Sequence, residues 1–379
     1  MAPRSLLAFA CLATIACGEV EPDAADAAHT SDAAADAQPH DATAPPDASV
    51  FDAPYLDGPV PCDAGGPCFA PPLALATGQS PPPKLLAVDA TNVYFTDGHA
   101  VKECTIGGCG DAPTTLWSST YFFIQGIAAA IGNVYFTAGT QYIASCGASG
   151  CNDTPTNLLT TLNTQFSGFA ADDQSVYWNG AGIHACALGG CNETPFTYAS
   201  PPNAYGLGVD DEVIAWSEQS TTIVVCPKPG CSGGPLTLAQ SDWVGPIAIG
   251  AGIVYWIDQG QPNGGHKVPI TQRTNGAVLA CAATGCGGKP TVVASYPLWL
   301  GSGAIAADAT GVYWSLEDVS GTFGEIVGCA SGGCNGAPTV YATTKSNQQW
   351  NLPTPGLAID ATNVYWTDPA AGAVLETPR

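Results

Sequence analysis

The sequence predicts an all-β fold, a seven-bladed β-propeller of four-stranded blades, and three observations lead to this prediction. A short apolar run occurs seven times, mostly 38 to 42 residues apart. A Cys-x4-Cys pair occurs six times in step with that run. The chain contains 45 Gly and 32 Pro but only 11% charged residues, a composition that favours short strands joined by turns over a helical bundle.

The apolar run is the clearest marker of the repeat. Most copies consist of a β-branched residue followed by two aromatic residues, which is typical of a buried strand. The seven copies are Val93-Tyr94-Phe95, Val134-Tyr135-Phe136, Val176-Tyr177-Trp178, Ile214-Ala215-Trp216, Val254-Tyr255-Trp256, Val312-Tyr313-Trp314 and Val364-Tyr365-Trp366.

Each run belongs to a longer unit of about 45 residues. A small apolar segment and a turn precede the run, and a third segment, a cysteine hairpin and a fourth segment follow it. Four short β-type segments in a unit of this length are the signature of a propeller blade.

The cysteine pairs mark the turn between the third and fourth segments. Glycine precedes the second cysteine of each pair, where we expect a positive φ in a tight hairpin. Proline follows four residues later, at the entry to the outer strand. We predict one disulfide in each hairpin; zinc binding is the alternative, but its four ligands would have to converge from separate blades. The six pairs are Cys104 with Cys109, Cys146 with Cys151, Cys186 with Cys191, Cys226 with Cys231, Cys281 with Cys286, and Cys329 with Cys334.

A seventh pair lies at the other end of the repeating region. Cys62 and Cys68 are separated by five residues, and Pro72 follows as in the other hairpins. The last unit, 357–379, stops before a cysteine pair of its own. We therefore predict that 62–77 supplies the missing outer strand and closes the ring, which removes the free sheet edges.

The N-terminal region differs from the repeats. Residues 1–16 have the features of a signal peptide, and the end of this segment with Cys17 resembles a bacterial lipobox. The resemblance implies lipidation of Cys17 and a protein held at the outer membrane by a lipid anchor only, facing the periplasm or the cell surface; a secreted protein is the alternative. Residues 17–61 carry ten acidic residues and no Lys or Arg, so we expect a disordered tether before the folded part, 62–379.

Several copies of the run extend into a longer motif. Val364-Tyr365-Trp366-Thr367-Asp368 and the looser copies at 93–97 and 254–258 resemble the YWTD repeat of receptor-type propellers. The chain as a whole resembles bacterial lipoproteins that carry a YWTD- or NHL-like propeller behind an acidic tether. The shared residues are structural, so the resemblance implies a fold and no particular ligand.

Charge and residue size limit the function classes. A net charge of −23, with 9 Lys+Arg, argues against a nucleic-acid partner. The predicted inner strands are made of Ala, Gly, Ile and Leu, too small and apolar for a catalytic centre. We expect a monomeric, non-catalytic module that binds a protein, peptide or glycan; a secreted hydrolase or lyase acting at the channel mouth is the alternative.

Five inner strands end in aspartate. We expect each Asp to cap its own turn by accepting backbone amide hydrogens. An acidic ring that holds Ca²⁺ is the alternative, and the sequence suggests no other cofactor or metal. The five residues are Asp89, Asp172, Asp210, Asp308 and Asp360.

Candidate ligand-binding residues lie in the loops of the opposite face, because loops on a rigid scaffold commonly carry binding sites. The loops between blades carry one aromatic each, with packing between blades as the alternative role: Phe123, Phe166, Tyr205, Trp243, Trp299 and Trp350. The long loop 258–276 adds His266, Lys267 and Arg273, and the neighbouring loop 315–324 adds Glu317 and Asp318.

The disulfide pattern can be tested directly. Digestion without reduction, followed by peptide mass spectrometry, should yield seven local cysteine pairs, including Cys62 with Cys68. Each bridge closes a loop of only about six residues. Recovery of any cross-link between two blades would contradict the prediction.

Overall fold

A computed structural model describes residues 71–379, apart from positions 161, 163, 165, 202, 263–272, 275, 298–299, 301–302, 318–323, 332 and 345–355. These residues form seven four-stranded antiparallel sheets and a small ribbon. The predicted fold class is confirmed. The described part of the chain contains no helix that could cross a membrane.

Each blade runs from an inner strand at the ring axis to an outer strand at the rim. The inner strands are β2 (Leu86–Val88), β6 (Ile127–Ala130), β10 (Phe169–Ala171), β14 (Ala204–Val209), β18 (Val244–Gly250), β24 (Ile305–Ala307) and β28 (Leu357–Ile359). The second strands carry the apolar run and are β3 (Asn92–Thr96), β7 (Asn133–Ala138), β11 (Ser175–Asn179), β15 (Val213–Glu218), β19 (Ile253–Asp258), β25 (Gly311–Glu317) and β29 (Asn363–Asp368).

The third and outer strands complete the blades. The third strands are β4 (Ala100–Thr105), β8 (Tyr142–Gly147), β12 (Ile183–Ala187), β16 (Thr222–Pro227), β22 (Gly276–Ala282), β26 (Gly324–Ala330) and β30 (Ala373–Pro378). The outer strands are β5 (Thr114–Ser118), β9 (Thr156–Leu159), β13 (Phe196–Ala199), β17 (Leu236–Gln240), β23 (Thr291–Tyr296), β27 (Thr339–Thr344) and, for the seventh blade, β1 (Leu73–Ala76). Blades are numbered 1 to 7 in the order of their inner strands.

The ring closes as the sequence predicts. The N-terminal strand β1 pairs antiparallel with β30, so that Leu73 lies opposite Glu376 and Ala76 lies opposite Val374. Blade 7 thus takes three strands from the C-terminal end of the chain and its outer strand from the N-terminal side. The inner strands of neighbouring blades contact one another around the ring, including β28 with β2.

The core consists of seven clusters, one between each pair of neighbouring blades. Successive side chains of a strand point to opposite faces, so the two aromatics of one run reach different neighbours. Tyr177 of blade 3 packs with Trp216 of blade 4, whereas Trp178 packs with Tyr135 of blade 2. All five tryptophans of the runs are fully buried. The apolar run therefore binds each blade to both of its neighbours.

Glycines before the inner strands allow the blades to approach closely near the axis. A Cβ atom added to Gly126 of blade 2 would lie 2.4 Å from the Cβ of Phe169 in blade 3. One added to Gly356 of blade 7 would lie 2.6 Å from the carbonyl oxygen of Lys84, which precedes blade 1. Only glycine fits at these two contacts.

The residue after the aromatic pair is polar and buried in six of the seven blades. The hydroxyl of Thr367 accepts a hydrogen bond from the amide of Gly356 (2.7 Å) and donates one to the carbonyl of Lys84 in the next blade (2.9 Å). Asn179 of blade 3 likewise donates to the carbonyl of Gly206 in blade 4 (3.1 Å). In blades 3 and 7 this group thus joins the second strand to the next blade, whereas Thr137, Ser217 and Ser315 bond within their own blades. Blade 5 has Ile257 instead.

The six described cysteine hairpins are disulfide-bonded, as predicted, with Cα–Cα distances of 5.2–5.5 Å. The first cysteine of each pair is buried and the second is half-buried. The bonds join Cys104 to Cys109, Cys146 to Cys151, Cys186 to Cys191, Cys226 to Cys231, Cys281 to Cys286, and Cys329 to Cys334.

Several of these hairpins contact the outer strand of the preceding blade. The amide of Cys109 donates to the carbonyl of Leu75 (2.9 Å), and the Sγ atom of Cys151 lies 3.2 Å from the carbonyl oxygen of Leu116. Five of the six glycines before the second cysteines have the predicted positive φ, but the prediction is wrong for Gly230. Cys17 and the predicted pair of Cys62 with Cys68 lie outside the described residues.

The buried hydroxyl of Thr367 gives a stability prediction. Thr367→Val keeps the side-chain shape but leaves the amide of Gly356 and the carbonyl of Lys84 each without this partner. We expect the free energy of unfolding to fall by about 1–3 kcal/mol, measured by denaturant titration. The matched control, Thr115→Val on the exposed side of β5, should change it by less than about 0.5 kcal/mol; equal effects would contradict the proposed role of the hydroxyl.

Candidate interaction face

The strand order divides the turns between two faces. Because neighbouring strands are antiparallel, the turns after the first and third strands lie on one face, which we call the Asp-turn face. The turns after the second strands and the loops between blades lie on the opposite face, the loop face. Residues 89–92 belong to the first face, and residues 97–99 and 119–126 belong to the second.

The five aspartates of the Asp-turn face cap their turns, as predicted. In each case Oδ1 accepts the backbone amides two and three residues further on, at 2.7–3.2 Å. In blades 1, 3 and 7, Oδ2 also accepts the hydroxyl of the tyrosine in the following strand, as between Asp360 and Tyr365 (2.7 Å). Among the described residues, no group of three His, Cys, Asp or Glu side chains is placed to hold a metal ion.

Two cations on this face connect neighbouring blades. Lys228 and Arg379 each follow a third strand directly, at equivalent positions in blades 4 and 7. Lys228 pairs with Asp172 of blade 3, and Arg379 pairs with Asp308 of blade 6 (2.5 Å). Each cation also lies over the tyrosine ring of that preceding blade, at 4.5 Å for Lys228 and 5.5 Å for Arg379.

The equivalent positions in other blades show what these cations replace. Ile106 in blade 1 and Leu188 in blade 3 pack against the core cluster that contains the preceding blade's aromatics. In blades 4 and 7, an ion pair with the turn Asp of the preceding blade therefore replaces this apolar contact. Burial disfavours the charged carboxyl of Asp172, but the hydrogen bonds from Lys228, backbone amides and Tyr177 prevail and lower its pKa.

A polar depression of about 430 Å³ opens beside Lys228 on the Asp-turn face. Its lining consists of Asp172, Asp173, Gln174, Asp211, Lys228 and Pro229. The ammonium group of Lys228 already bonds to the carboxylate of Asp172 and the carbonyl of Asp210. The charges at the bottom of this depression are thus used to join two blades.

In blades 1 and 7, a glutamate of the third strand lies beside the tyrosine that bonds to the turn Asp; Glu103 is half-buried and Glu376 is buried. Glu103 lies opposite Tyr94 in the sheet, and Glu376 lies opposite Tyr365. The Oε2 atom of each is buried without a hydrogen-bond partner among the described residues. Burial, followed by the nearby carboxylates of Asp89 and Asp360, raises the pKa of Glu103 and Glu376 respectively.

On the loop face, the motif aspartates shape the turns. Asp97 accepts the amides of His99 (3.1 Å) and Ala100 (2.9 Å) and pairs with Lys102 (3.1 Å). Asp258 accepts the hydroxyl of Ser241 (2.6 Å), and Asp368 accepts the amide of Ala371 (3.0 Å). These carboxylates hold the loops in place and are not free to serve as ligand groups.

The aromatic residues predicted for this face divide into two environments. Phe123, Tyr205 and Trp243 are exposed, by 58%, 42% and 38%. Phe166 is half-buried and packs against the cluster around Trp178, as the packing alternative predicts. Trp299 and Trp350 lie outside the described residues.

Phe123 belongs to an aromatic patch between blades 1 and 2 whose other members were not predicted: His99, Tyr121, Phe122 and Tyr142. Tyr121 is 86% exposed. The rings of His99 and Phe123 lie 4.2 Å apart, and those of Phe122 and Tyr142 lie 5.4 Å apart. The run Tyr121-Phe122-Phe123 is a signal of this patch, because it places three consecutive aromatics in a loop between blades.

The predicted insertion after Trp256 contains a short ribbon, β20 (Gln261–Pro262) paired with β21 (Arg273–Thr274). Arg273 therefore lies on a strand beyond the four-stranded sheet, and Glu317 is the last residue of β25. His266, Lys267 and Asp318 lie outside the described residues. The structure does not bring these five residues into one described site.

No protein-family model and no curated protein matches the sequence. The fold is similar to that of a chain in the mitotic checkpoint complex, with a TM-score of 0.56, 10% identity and coverage of 86% of this chain and 99% of that chain. It is also similar to the WD40 β-propeller domain of Doa1 (0.54, 9%, 82% and 98%) and to the N-terminal domain of Nup159 (0.52, 7%, 81% and 95%). At these identities the likeness shows the propeller fold alone.

The buried carboxyl of Glu376 gives a pH prediction. Because the pKa of Glu376 is raised in the folded chain, its contribution favours folding at low pH and is lost as pH rises above the unfolded value of about 4.3. Glu376→Gln, which mimics the neutral acid, should therefore melt at a higher temperature than the native chain at pH 7 and at the same temperature near pH 3.5.

Glu212→Gln, a change at an exposed turn residue, is the control in the same thermal melts. It should show no comparable rise at pH 7. A Glu376→Gln variant that is less stable at pH 7 would show that the ionised carboxylate is needed.

Proposed function

We propose that this protein is a non-catalytic interaction scaffold that binds a partner protein through its loop face, outside the cytoplasm. The observation that carries the proposal is the exposure of Tyr121, Phe123, Tyr205 and Trp243 on that face. Large aromatic side chains that remain exposed on a rigid ring are typical anchors of protein interfaces.

The arrangement of rigid and variable parts supports the same role. On the Asp-turn face, the carboxylates and the two bridging cations are engaged in turns and blade contacts. The loop face carries the exposed rings. Binding residues commonly lie on loops that a rigid scaffold holds in position.

A binding role also agrees with the chemistry of the described residues. Apart from Phe169 and Tyr205, the inner strands consist of Gly, Pro and aliphatic residues. His184 stacks on Trp178 (5.6 Å) and contacts the hydroxyl of Thr197 (3.0 Å) within its own blade. The ring of His99 lies tilted against that of Phe123, with 4.2 Å between the ring centres. These contacts supply packing and no nucleophile with an adjacent base.

The extracytoplasmic location rests on the cysteines and the N-terminus. Six disulfides are typical of oxidising compartments. The lipobox-like sequence ending at Cys17, and the likeness of the chain to lipoproteins with YWTD- or NHL-like propellers, favour attachment to the outer membrane through lipid. The acidic segment 17–61 would then separate the ring from the membrane.

The loop face can be tested by capture from an envelope extract with the tagged full chain. A triple variant that combines Tyr121→Ser, Tyr205→Ser and Trp243→Ser should lose the proteins that the native chain captures, because it removes exposed aromatic side chains from three separate positions. Its melting temperature should stay within about 2 °C, since exposed side chains contribute little to folding.

A double variant that combines Phe196→Ser and Leu236→Ser removes exposed apolar side chains from the outer strands and serves as the control. It should capture the same proteins as the native chain. Capture that survives the triple variant but is lost with the outer-strand control would place the interface at the rim.

A further inference from the structure

Lys84 lies on the loop face at the entry to blade 1, and its backbone is held by two neighbouring elements. Its carbonyl accepts the hydroxyl of Thr367 (2.9 Å) and the amide of Gly356 (3.0 Å), both from blade 7. The side chain is half-buried and runs over Gly98, where an added Cβ would lie 3.0 Å from Nζ. The ammonium group is therefore positioned by the ring closure itself.

The charge of Lys84 is not compensated among the described residues. Of the five Lys and Arg residues with described side chains, Lys102, Lys228 and Arg379 form ion pairs, whereas the half-buried Lys84 and the exposed Lys289 form none. Asp97, the turn carboxylate that precedes Gly98, is already engaged by Lys102 and two amides. The segment 345–355, which lies outside the described residues just before Gly356, contains no Asp or Glu.

Lys84 and the aromatic patch share one surface. Gly98, which the Lys84 side chain covers, accepts the amide of Ile124 through its carbonyl (2.9 Å). The ring of the next residue, His99, lies 4.2 Å from that of Phe123, and its Nδ1 atom lies 3.1 Å from the carbonyl oxygen of Phe122. A half-buried cation thus adjoins exposed rings, a combination suited to a ligand with both an anionic and an apolar group.

We propose that Lys84 and the aromatic patch form a binding site for an acidic peptide segment of the partner protein. A Glu or Asp carboxylate of the peptide pairs with Nζ of Lys84, and a neighbouring apolar side chain packs against Phe123 and Tyr121. The inference rests on the proposed function, because it names the partner chemistry of the same face.

The relative orientation of the rings favours a peptide over an anionic polysaccharide. The rings of His99 and Phe123 are inclined by 40°, and those of Phe122 and Tyr142 by 75°. The patch is therefore stepped and lacks the single flat platform on which a sugar ring stacks. Rings inclined to one another in this way can contact the separate side chains of an extended peptide. Aromatic-lined surfaces are a recurring mode of peptide recognition.

The test uses the full chain and an array of ten-residue peptides that contain one or two Glu beside Leu, Phe or Pro. A matched array carries Gln at each Glu. We expect binding to members of the first array and at least tenfold weaker binding to their Gln counterparts.

Variants then assign the contact to Lys84. Lys84→Gln should weaken binding to the Glu peptides about tenfold, Lys84→Arg should retain it, and Tyr121→Ser combined with Phe123→Ser should reduce it. Lys289→Gln removes an exposed cation of the Asp-turn face and should leave binding unchanged. Thermal melts of each variant distinguish a lost contact from a lost fold. If Lys84→Gln unfolds, the variant at the exposed residues Tyr121 and Phe123 still tests the site.

Three results would overturn the inference: equal binding to the Glu and Gln arrays, unchanged binding by folded Lys84→Gln, or binding of the uronic-acid polymer alginate with no binding of either array. If the arrays fail while the triple loop-face variant still loses its captured proteins, only the acidic-peptide site is wrong. If capture is also unaffected, the proposed function fails as well.

Discussion

The alternation of side chains in the second strand of each blade is the constraint on which the rest of the structure depends. In Val176-Tyr177-Trp178, the first and third residues face blade 2 and the middle one faces blade 4. A blade taken alone would expose both of its aromatic surfaces, so the apolar burial that stabilises it requires two neighbours. The pairing of β1 with β30 matters for the same reason, because it completes blade 7 and brings Leu75 and Ala76 into the cluster between blades 7 and 1.

This packing also explains why the two faces differ. The disulfide hairpin of each blade lies toward the preceding blade: the first cysteine of each described pair belongs to the core cluster on that side, and the second packs against it. The Asp turns, the hairpins and the bridging residues Lys228 and Arg379 are therefore parts of the contacts between blades. On the loop face, Tyr121 is 86% exposed and belongs to none of the core clusters, so it can vary without loss of the ring.

The repeat made much of the fold predictable, because it fixes which residues are equivalent. Blade number, ring closure, the local disulfides and the Asp turns all follow from positions that recur. Contacts that occur in only one or two blades have no such signal in the sequence. The equivalence of Lys228 and Ile106, for example, can be recognised only from the strand registers. Phe123 and Phe166 illustrate the same limit, since both occupy loops between blades, yet only Phe123 is exposed. The loop of Phe123 turns at Ser119, whose hydroxyl accepts the amides of Tyr121 and Phe122.

The net charge of −23 describes this molecule less well than the placement of its few cations. At physiological ionic strength, charges more than about 8 Å apart are largely screened, so a ligand on the loop face responds mainly to the groups it contacts. There the carboxylates of Asp97, Asp258 and Asp368 are engaged by turn amides and hydroxyls. Lys84, held by the contact between blades 7 and 1, therefore gives the aromatic patch a local charge opposite to that of the whole chain.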